Sequence, residues 1–191
     1  MTILIFSCSV QAKWQTFYQS PYLQINYQTL KNSGLYEVKA QITIGATVDE
    51  FYQLLTDEKL APTWLDKVDN TKLIENINDK TFIVLTHFNG FGPVADRELL
   101  TQTTLVEKTA SRLYLSIKDV NHFLPPNKGV VRVKDVDVSW QATVQQDGNL
   151  VINYYSHFDP AGDLPIWISN KYALSSLKTS LLNLKALKPV Q

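Results

Sequence analysis

The feature that most constrains the fold is one long amphipathic segment near the end of the chain, after more than a hundred residues patterned as strands. Its apolar stripe at helical spacing consists of Ile166, Ser169, Ala173, Leu177, Leu181, Leu184 and Leu187. Residues 159–165 precede this segment and hold two prolines and a glycine, which together prescribe the geometry of a turn. We therefore expect a single helix, capped by Asp163, whose position over the strands is set by a rigid turn.

The chain before this turn alternates apolar and polar side chains over short stretches, which is the period of half-buried strands. Strands are predicted for residues 22–30, 35–44, 71–77, 81–88, 98–107, 112–120, 130–146 (with a bend near Asp135 or Asp137) and 149–158. Thr47 and Glu50 form a capping box that begins a short helix, and a helical turn is expected at residues 63–68, after Pro62. This order predicts an α+β fold, because no alternation of strands and helices is present to build a parallel sheet.

A twisted antiparallel sheet with this many strands curls around whatever covers its apolar face. The terminal helix is the only predicted element long enough to cover it. If the concave side of the sheet is wider than one helix, a cavity remains between the helix and the sheet. The alternative is a core filled by side chains, which would indicate a structural or interaction domain.

The length and composition of the chain narrow the classes of function. A chain of 191 residues favours one domain. Lys and Arg together number 18, as do Asp and Glu, so no excess of positive charge predicts nucleic acid as a partner. Four Trp, nine Tyr and eight Phe supply large apolar areas that suit a core or a ligand cavity.

The first twelve residues, MTILIFSCSVQA, are predicted to be a signal peptide that is truncated at its start and cleaved after Ala12. A short apolar run at residues 3–6 and small or aliphatic residues at Val10 and Ala12 carry this prediction. The alternatives are a lipoprotein signal ending at Cys8 and an N-terminus with no leader. Export would place the domain in a bacterial periplasm or outside the cell. A cytoplasmic location is the alternative, and the single cysteine of the chain fits it as well.

Two stretches resemble START domains, the steroidogenic-acute-regulatory-related lipid-transfer family. Residues 92–99, GPVADREL, are similar to the family's P-x-(S/A)-D-R-D element, with Glu98 in place of the usual Asp. Residues 157–187 are similar to its D-P-x-G-x-(I/L)-P-x-W-(I/L)-x-N element, matched by Asp159, Pro160, Gly162, Leu164, Pro165, Trp167, Ile168 and Asn170. The likeness covers residues 20–188 and implies a START-like lipid-binding domain with these bounds.

The resemblance implies the helix-grip fold of the birch-allergen-like superfamily, in which a curved antiparallel sheet wraps around a long C-terminal helix and encloses a cavity. It also implies a function: non-catalytic binding, and by extension transfer, of a lipid or another hydrophobic small molecule. The expected protein is a bacterial member of the family, a monomer that makes transient contact with a membrane.

Candidate ligand-contacting residues lie on two strands and at several aromatic positions. In the family, the face of the strand that starts at Arg97 looks into the tunnel, which implies a set of Arg97, Leu99, Thr101 and Thr103. On the preceding strand we expect the inward residues to be Phe82, Val84, Thr86 and Phe88. The remaining candidates are aromatic: Trp64, Tyr114, Trp140, Tyr154, Tyr172 and, at the cavity mouth beside Ile166, Trp167.

The sequence contains no recognisable catalytic motif. The three histidines have no partner at metal-ligand spacing, and neither a nucleophile elbow nor a phosphate-binding glycine loop occurs. We therefore predict no metal, no cofactor and no catalytic residue. The alternative is a cavity enzyme of cyclase, aromatase or hydrolase type, since related helix-grip proteins include such enzymes; its candidate residues are Arg97, His87 and Tyr154.

Overall fold

The computed structural model describes residues 13–90, 92 and 94–190, and this part of the chain forms ten strands and three helices. The strands are β1 (Gln15–Gln19), β2 (Leu23–Thr29), β3 (Tyr36–Ile44), β4 (Val68–Asn78), β5 (Thr81–Phe88), β6 (Arg97–Lys108), β7 (Arg112–Asp119), β8 (Val131–Arg132), β9 (Lys134–Val144) and β10 (Leu150–Asp159). The helices are α1 (Val48–Thr56), α2 (Ala61–Trp64) and α3 (Ile166–Leu187). The predicted leader, residues 1–12 with Cys8, lies outside the described residues.

The ten strands form one curved sheet. Nine of them follow the order β1-β2-β3-β10-β9-β7-β6-β5-β4, in which neighbours are antiparallel, and β8 lies off this path and pairs with β6. Register shifts interrupt the β4–β5 and β6–β7 pairs, and such bulges increase the bend and twist of a sheet. Helix α3 lies on the concave side. The predicted α+β class and helix-grip architecture are therefore confirmed.

Three details differ from the sequence predictions. Strand β1 was missed because its residues are mostly exposed and show no apolar alternation. The helical turn expected at residues 63–68 is α2, which begins at Ala61 and ends at Trp64, so Pro62 lies in its first turn, where a missing N–H costs nothing. The long strand at 130–146 does bend, since Asp135 has a φ of 51°, but its first part is a separate strand, β8, paired in parallel with β6.

The turn at residues 159–165 leads into α3 without a side-chain cap. Asp159 accepts a hydrogen bond from the N–H of Ala161 at 2.8 Å, and Gly162 adopts a φ of 69°, as a tight turn requires. Pro165 occupies the N-cap position, so the prediction that Asp163 caps the helix is wrong. The fixed backbone of the two prolines and the internal bond of Asp159 define the start of the helix instead.

Side chains attach α3 to the rest of the fold along its length. Asn170 accepts from the N–H of Tyr36 at 3.0 Å and donates to the carbonyl of Gly34 at 2.9 Å. Farther along the helix, the hydroxyl of Ser180 accepts from the N–H of Asp66 at 2.8 Å. Near its end, the ammonium of Lys188 lies 2.6 Å from the carboxylate of Glu50 in α1. The helix is therefore held at both ends and in its second half.

The core lies between the concave face of the sheet and helices α1, α2 and α3. Its largest fully buried side chains include Phe51, Trp64 and Leu181. Trp140 joins them, since its ring centroid lies 5.8 Å from that of Phe51 and 6.0 Å from that of Trp64. None of the helices formed by the described residues combines the length and the hydropathy that crossing a membrane requires.

Candidate functional site

A cavity of about 340 Å³ separates the middle of α3 from the concave face of the sheet. Its walls are largely apolar and come from all three helices and from strands β4, β5, β6, β7, β9 and β10, together with loop residues. Residues 89, 90 and 94 from the β5–β6 loop, and Pro160 and Leu164 from the turn before α3, contribute to one end. A concave, mostly apolar site with sparse polar groups is the usual form of a small-molecule site.

The cavity exists because α3 presents small side chains to the sheet. The helix residues that line it are Ser169, Tyr172, Ala173, Ser176, Leu177 and Ser180, which are spaced three or four apart and so share one face. Four of these six side chains are serine or alanine. The larger apolar residues Leu174, Leu181 and Leu184 are buried in the core beside this face. Space that bulky side chains would fill therefore stays open along the middle of the helix, from Ser169 to Ser180.

One wall of the cavity is aromatic. Trp64, Trp140 and Tyr154 line it, and the ring centroids of Trp140 and Tyr154 lie 4.4 Å apart. Burial raises the pKa of the Tyr154 hydroxyl to about 12, although a hydrogen bond with Ser156 opposes this shift. The phenol therefore stays protonated at neutral pH and can donate a hydrogen bond to a ligand.

The other polar groups of the cavity lining are hydroxyls, the Asn89 amide and the charged side chains of Asp66, Lys67 and Arg97. Thr71, Thr86, Thr101 and Thr103 line it from β4, β5 and β6, and Thr71 Oγ1 is buried without a hydrogen-bond partner among the described residues. Arg97 lines the end near the two loops, and its Nε is likewise buried without a partner in that part of the chain. Burial lowers the pKa of Arg97, but arginine remains charged in proteins.

Most of the residues predicted from the sequence line this cavity. Phe82, Val84, Thr86 and Phe88 pair across β5 and β6 with Thr103, Thr101, Leu99 and Arg97, so the two predicted faces form one continuous surface. The aromatic candidates Trp64, Trp140, Tyr154 and Tyr172 also belong to the lining.

Two predicted residues lie outside the lining, and we remove them from the candidate set. Tyr114 alternates along β7 with Leu113 and Leu115, which face the core, so the tyrosine points to the opposite face of the sheet. Trp167 is 68% exposed at the start of α3, because the helix turns it away from the sheet while Leu164 faces the cavity.

The structure also adds lining residues that sequence reasoning missed. On the strands these are Ile117, Val136, Val138, Ser156 and Phe158, and between β8 and β9 it is Val133. On the helix they include Ser169, Ser176 and Ser180, whose spacing on the amphipathic face was the available signal. The sequence analysis placed Ser169 in the apolar stripe but left out Ser176 and Ser180, and in the structure all three border the cavity.

The three residues named for a cavity enzyme do not meet in the cavity. Arg97 and Tyr154 line it, but His87 lies on the opposite face of β5, where its Nε2 is 3.5 Å from Asp96 and its Nδ1 is 3.9 Å from Asp69. Within residues 13–90, 92 and 94–190, no three His, Cys, Asp or Glu side chains cluster closely enough to hold a metal ion.

Comparisons with known proteins agree with this geometry. The curated START domain-containing protein 10 of Mus musculus is 20% identical over 166 residues, which are 86% of this chain but 57% of that protein. This chain therefore spans little more than half of that relative. The solved structure of a STAR-related lipid transfer protein fragment from Xanthomonas axonopodis has a TM-score of 0.80 at 20% identity and covers 91% of this chain and 97% of its own.

A second solved structure, human StAR-related lipid transfer protein 5, has a TM-score of 0.81 at 15% identity and covers 91% of this chain and 85% of its own. At such identities these likenesses establish the fold. The sequence profile of the START domain matches residues 7–179, nearly the whole chain. The protein belongs to the START domain family.

Proposed function

We propose that this protein binds one lipid or other hydrophobic small molecule in the cavity beneath α3 and carries it without changing it chemically. The observation that supports this most directly is the open space of about 340 Å³ between helix and sheet, with largely apolar walls. The two structural relatives are named as lipid transfer proteins, which favours the same class of function for this chain.

The energetics of such a site are dominated by burial of apolar surface. Removing several hundred Å² of ligand surface from water at about 25 cal/mol/Å² contributes on the order of 10 kcal/mol before the costs of association. The threonine hydroxyls and Tyr154 then supply the few polar contacts that orient a ligand.

We further propose that the first turn of α3 contacts a membrane when the ligand is exchanged. Ile166 and Trp167 are neighbours in sequence and are 49% and 68% exposed. Leu164, two residues before this pair, lines the cavity. An exposed tryptophan suits the interface between water and lipid, because its ring is apolar and its N–H is polar. Contact at this point would place the lipid surface beside the end of the cavity.

Export remains a proposal that is separate from the cavity. Residues 1–12 would act as the signal, with cleavage after Ala12. Sequencing the N-terminus of the protein recovered from the periplasm of a bacterial host tests it. A mature chain that begins at Lys13 supports export, whereas recovery of the intact chain from the cytoplasm contradicts it.

Two experiments test the function: one identifies the amphiphiles that co-purify with the protein, and the other asks whether they bind in the cavity. Solvent extraction followed by mass spectrometry identifies co-purified amphiphiles, and displacement of a fluorescent lipid measures affinity. Ala173 lines the cavity, so Ala173→Trp should fill it and weaken binding at least tenfold. Ser175 is exposed on the same helix, and Ser175→Trp is the matched control, expected to bind normally. A protein that carries and binds no amphiphile, or an Ala173→Trp variant that binds as well as the control, overturns the proposal.

A further inference from the structure

One end of the cavity carries a positive charge with no counter-ion among the described residues. The Nη1 of Arg97 donates to the carbonyl of Ala95 in the β5–β6 loop. Its Nη2 lies 3.7 Å from the position that a Cβ on Gly162 would occupy, so the guanidinium also sits against the turn before α3. The Nε is buried and has no hydrogen-bond partner among the residues that the structure describes. A guanidinium held in this way has donors left to offer, and a buried donor that makes no bond is costly.

The acidic residues on either side of Arg97 are engaged elsewhere. Glu98 faces away from the cavity and accepts hydrogen bonds from Arg132 Nε at 3.0 Å and Nη2 at 2.8 Å. Asp96 accepts from the N–H of Gly90 at 2.8 Å, and its other oxygen lies 3.5 Å from His87. Neither carboxylate is within ion-pair distance of Arg97 in the part of the chain described.

The described lining residues carry a net positive charge. Three of them are charged: Asp66, Lys67 and Arg97. No ion pair joins any two of these three side chains. One acid against two bases leaves one positive charge in a site whose other walls are largely apolar. A ligand with a negative charge at this end would therefore neutralise the excess positive charge of the cavity.

The dimensions of the cavity indicate the shape of such a ligand. The lining residues of β6 run from Arg97 to Thr103, a distance of about 20 Å at 3.3–3.4 Å per residue. This is the length scale of one extended long acyl chain. The volume of about 340 Å³ lies near the lower limit of about 300 Å³ for drug-sized sites, which suits one chain better than two.

We infer that the ligand is a single-chain amphiphile with an anionic head, a carboxylate or a phosphate monoester. Its oxyanion accepts hydrogen bonds from Arg97 between the two loops, and its chain lies along β6 toward Thr103 under the small residues of α3. This inference rests on the proposed function, since it concerns the ligand of the same cavity. Arginine suits the role because its planar donors match the geometry of both kinds of oxyanion.

The test compares ligands that share a sixteen-carbon chain and differ in the head group. Affinities of the full protein for hexadecanoate, monohexadecyl phosphate and hexadecanol are measured by displacement of an uncharged fluorescent lipid, with inorganic phosphate and acetate as free-anion arms. At least one anionic amphiphile should bind about ten- to a hundredfold more tightly than the alcohol, the size of a hydrogen bond to a charged group. The arm that binds more tightly identifies the head, and the free anions alone should not displace the probe.

Variants assign the preference to Arg97. Arg97→Gln should reduce the preference for the anionic head to about twofold or less while retaining hexadecanol binding, which also shows that the variant is folded. Arg97→Lys should restore part of the preference, and Arg112→Gln, at an exposed arginine on β7, should leave it unchanged. Equal binding of acid and alcohol by the natural protein, or a preference that survives in Arg97→Gln, overturns the inference while the proposed function stands. If no amphiphile binds at all, the proposed function fails as well.

Discussion

Glu98 and Arg132 form an ion pair that is buried on the convex side of the sheet, 0% and 6% exposed, with two hydrogen bonds from Nε and Nη2 of the arginine to one carboxylate oxygen. The other carboxylate oxygen, Oε2, accepts a hydrogen bond from the side chain of Asn127. The backbone N–H of Asn127 donates to Oε1, the oxygen that Arg132 also contacts. Arg132 further donates to the carbonyls of Leu124 and Pro125. The pair therefore fixes the loop between β7 and β8 to the strand that carries Arg97.

Removing the carboxylate of this pair is expected to be strongly destabilising. Glu98→Gln leaves the Arg132 charge buried without its partner, which costs about 3–5 kcal/mol in the free energy of unfolding. Urea denaturation followed by circular dichroism measures the change. Glu107→Gln is the matched control, because Glu107 lies 3.9 Å from Arg112 at an exposed site, and its loss should cost less than about 1 kcal/mol. Similar losses in the two variants would contradict the structural role of the buried pair.

The attachment of α3 to the β2–β3 turn depends on Asn170. Asn170→Ala removes the partners of two backbone groups, the N–H of Tyr36 and the carbonyl of Gly34, and should cost about 2–4 kcal/mol. Asn183 makes one bond of 3.2 Å to the carbonyl of Trp64, so Asn183→Ala should cost only about 1 kcal/mol. Denaturant unfolding of both variants checks the order. A smaller loss for Asn170 than for Asn183 would contradict this account.

The contact between Glu50 and Lys188 should make stability depend on pH in the acid range. The hydrogen bond from Lys188 and those from Thr47 lower the pKa of Glu50 from 4.5 to about 2. A depressed pKa in the folded state stabilises the protein above pH 4.5, and this contribution is lost as the pH falls toward about 2.

Glu50→Gln isolates this charge, because glutamine can still complete the capping box. The natural protein should exceed the variant in urea midpoint at pH 7, and the difference should shrink between pH 4.5 and about 2. Adding salt should weaken the difference at pH 7, since both side chains are partly exposed. A difference that is constant with pH would show that the charge of Glu50 is not its source.

Membrane contact by the start of α3 predicts a variant with normal stability and reduced binding to vesicles. Trp167 is mostly exposed, so Trp167→Ala should change the free energy of unfolding by no more than about 0.5 kcal/mol. Its binding to vesicles, measured by co-sedimentation, should fall several-fold. Phe17→Ala on the edge strand β1 removes another exposed aromatic ring and should leave vesicle binding unchanged. If vesicle binding fell equally in both variants, general surface hydrophobicity would explain it instead of the start of α3.

Much of the sheet side of the site could be predicted from the sequence, because alternation along a strand has a period of two that the fold cannot alter. Once one residue of β5 or β6 faces the cavity, Phe82, Val84 and Thr101 must face it too. The same rule excludes Tyr114, but only after the inward face of β7 is known, and an aromatic residue alone does not reveal it. The arrangement of β1 and β8 could not be predicted either, since neither strand has an apolar pattern of its own.

The helix side was harder to predict, since a stripe at helical spacing does not show what lies opposite it. Ile166 and Leu187 belong to the predicted stripe but are about half exposed, because they lie at the two ends of α3 where the sheet no longer covers the helix. Sequence reasoning also could not show that Arg97 forms no ion pair with another described residue. Glu98 follows Arg97 directly in the sequence, yet the pleat of the strand places the two side chains on opposite faces of the sheet. Glu98 therefore pairs with Arg132 instead.

The small residues of α3 yield a last prediction, in which stability and binding change in opposite directions. Ser176 lines the cavity, and Ser176→Leu would place a larger apolar side chain in open apolar space. Burying the added methylene groups at about 0.8 kcal/mol each should raise the free energy of unfolding by about 1–2 kcal/mol. The same side chain occupies ligand volume, so affinity for an amphiphile should fall. Ser175→Leu, one residue away on the exposed face, should change neither quantity. If the cavity only reflects loose packing, Ser176→Leu should raise the free energy of unfolding without weakening binding. If the cavity is a ligand site, the same substitution must raise stability and lower the affinity for the amphiphile.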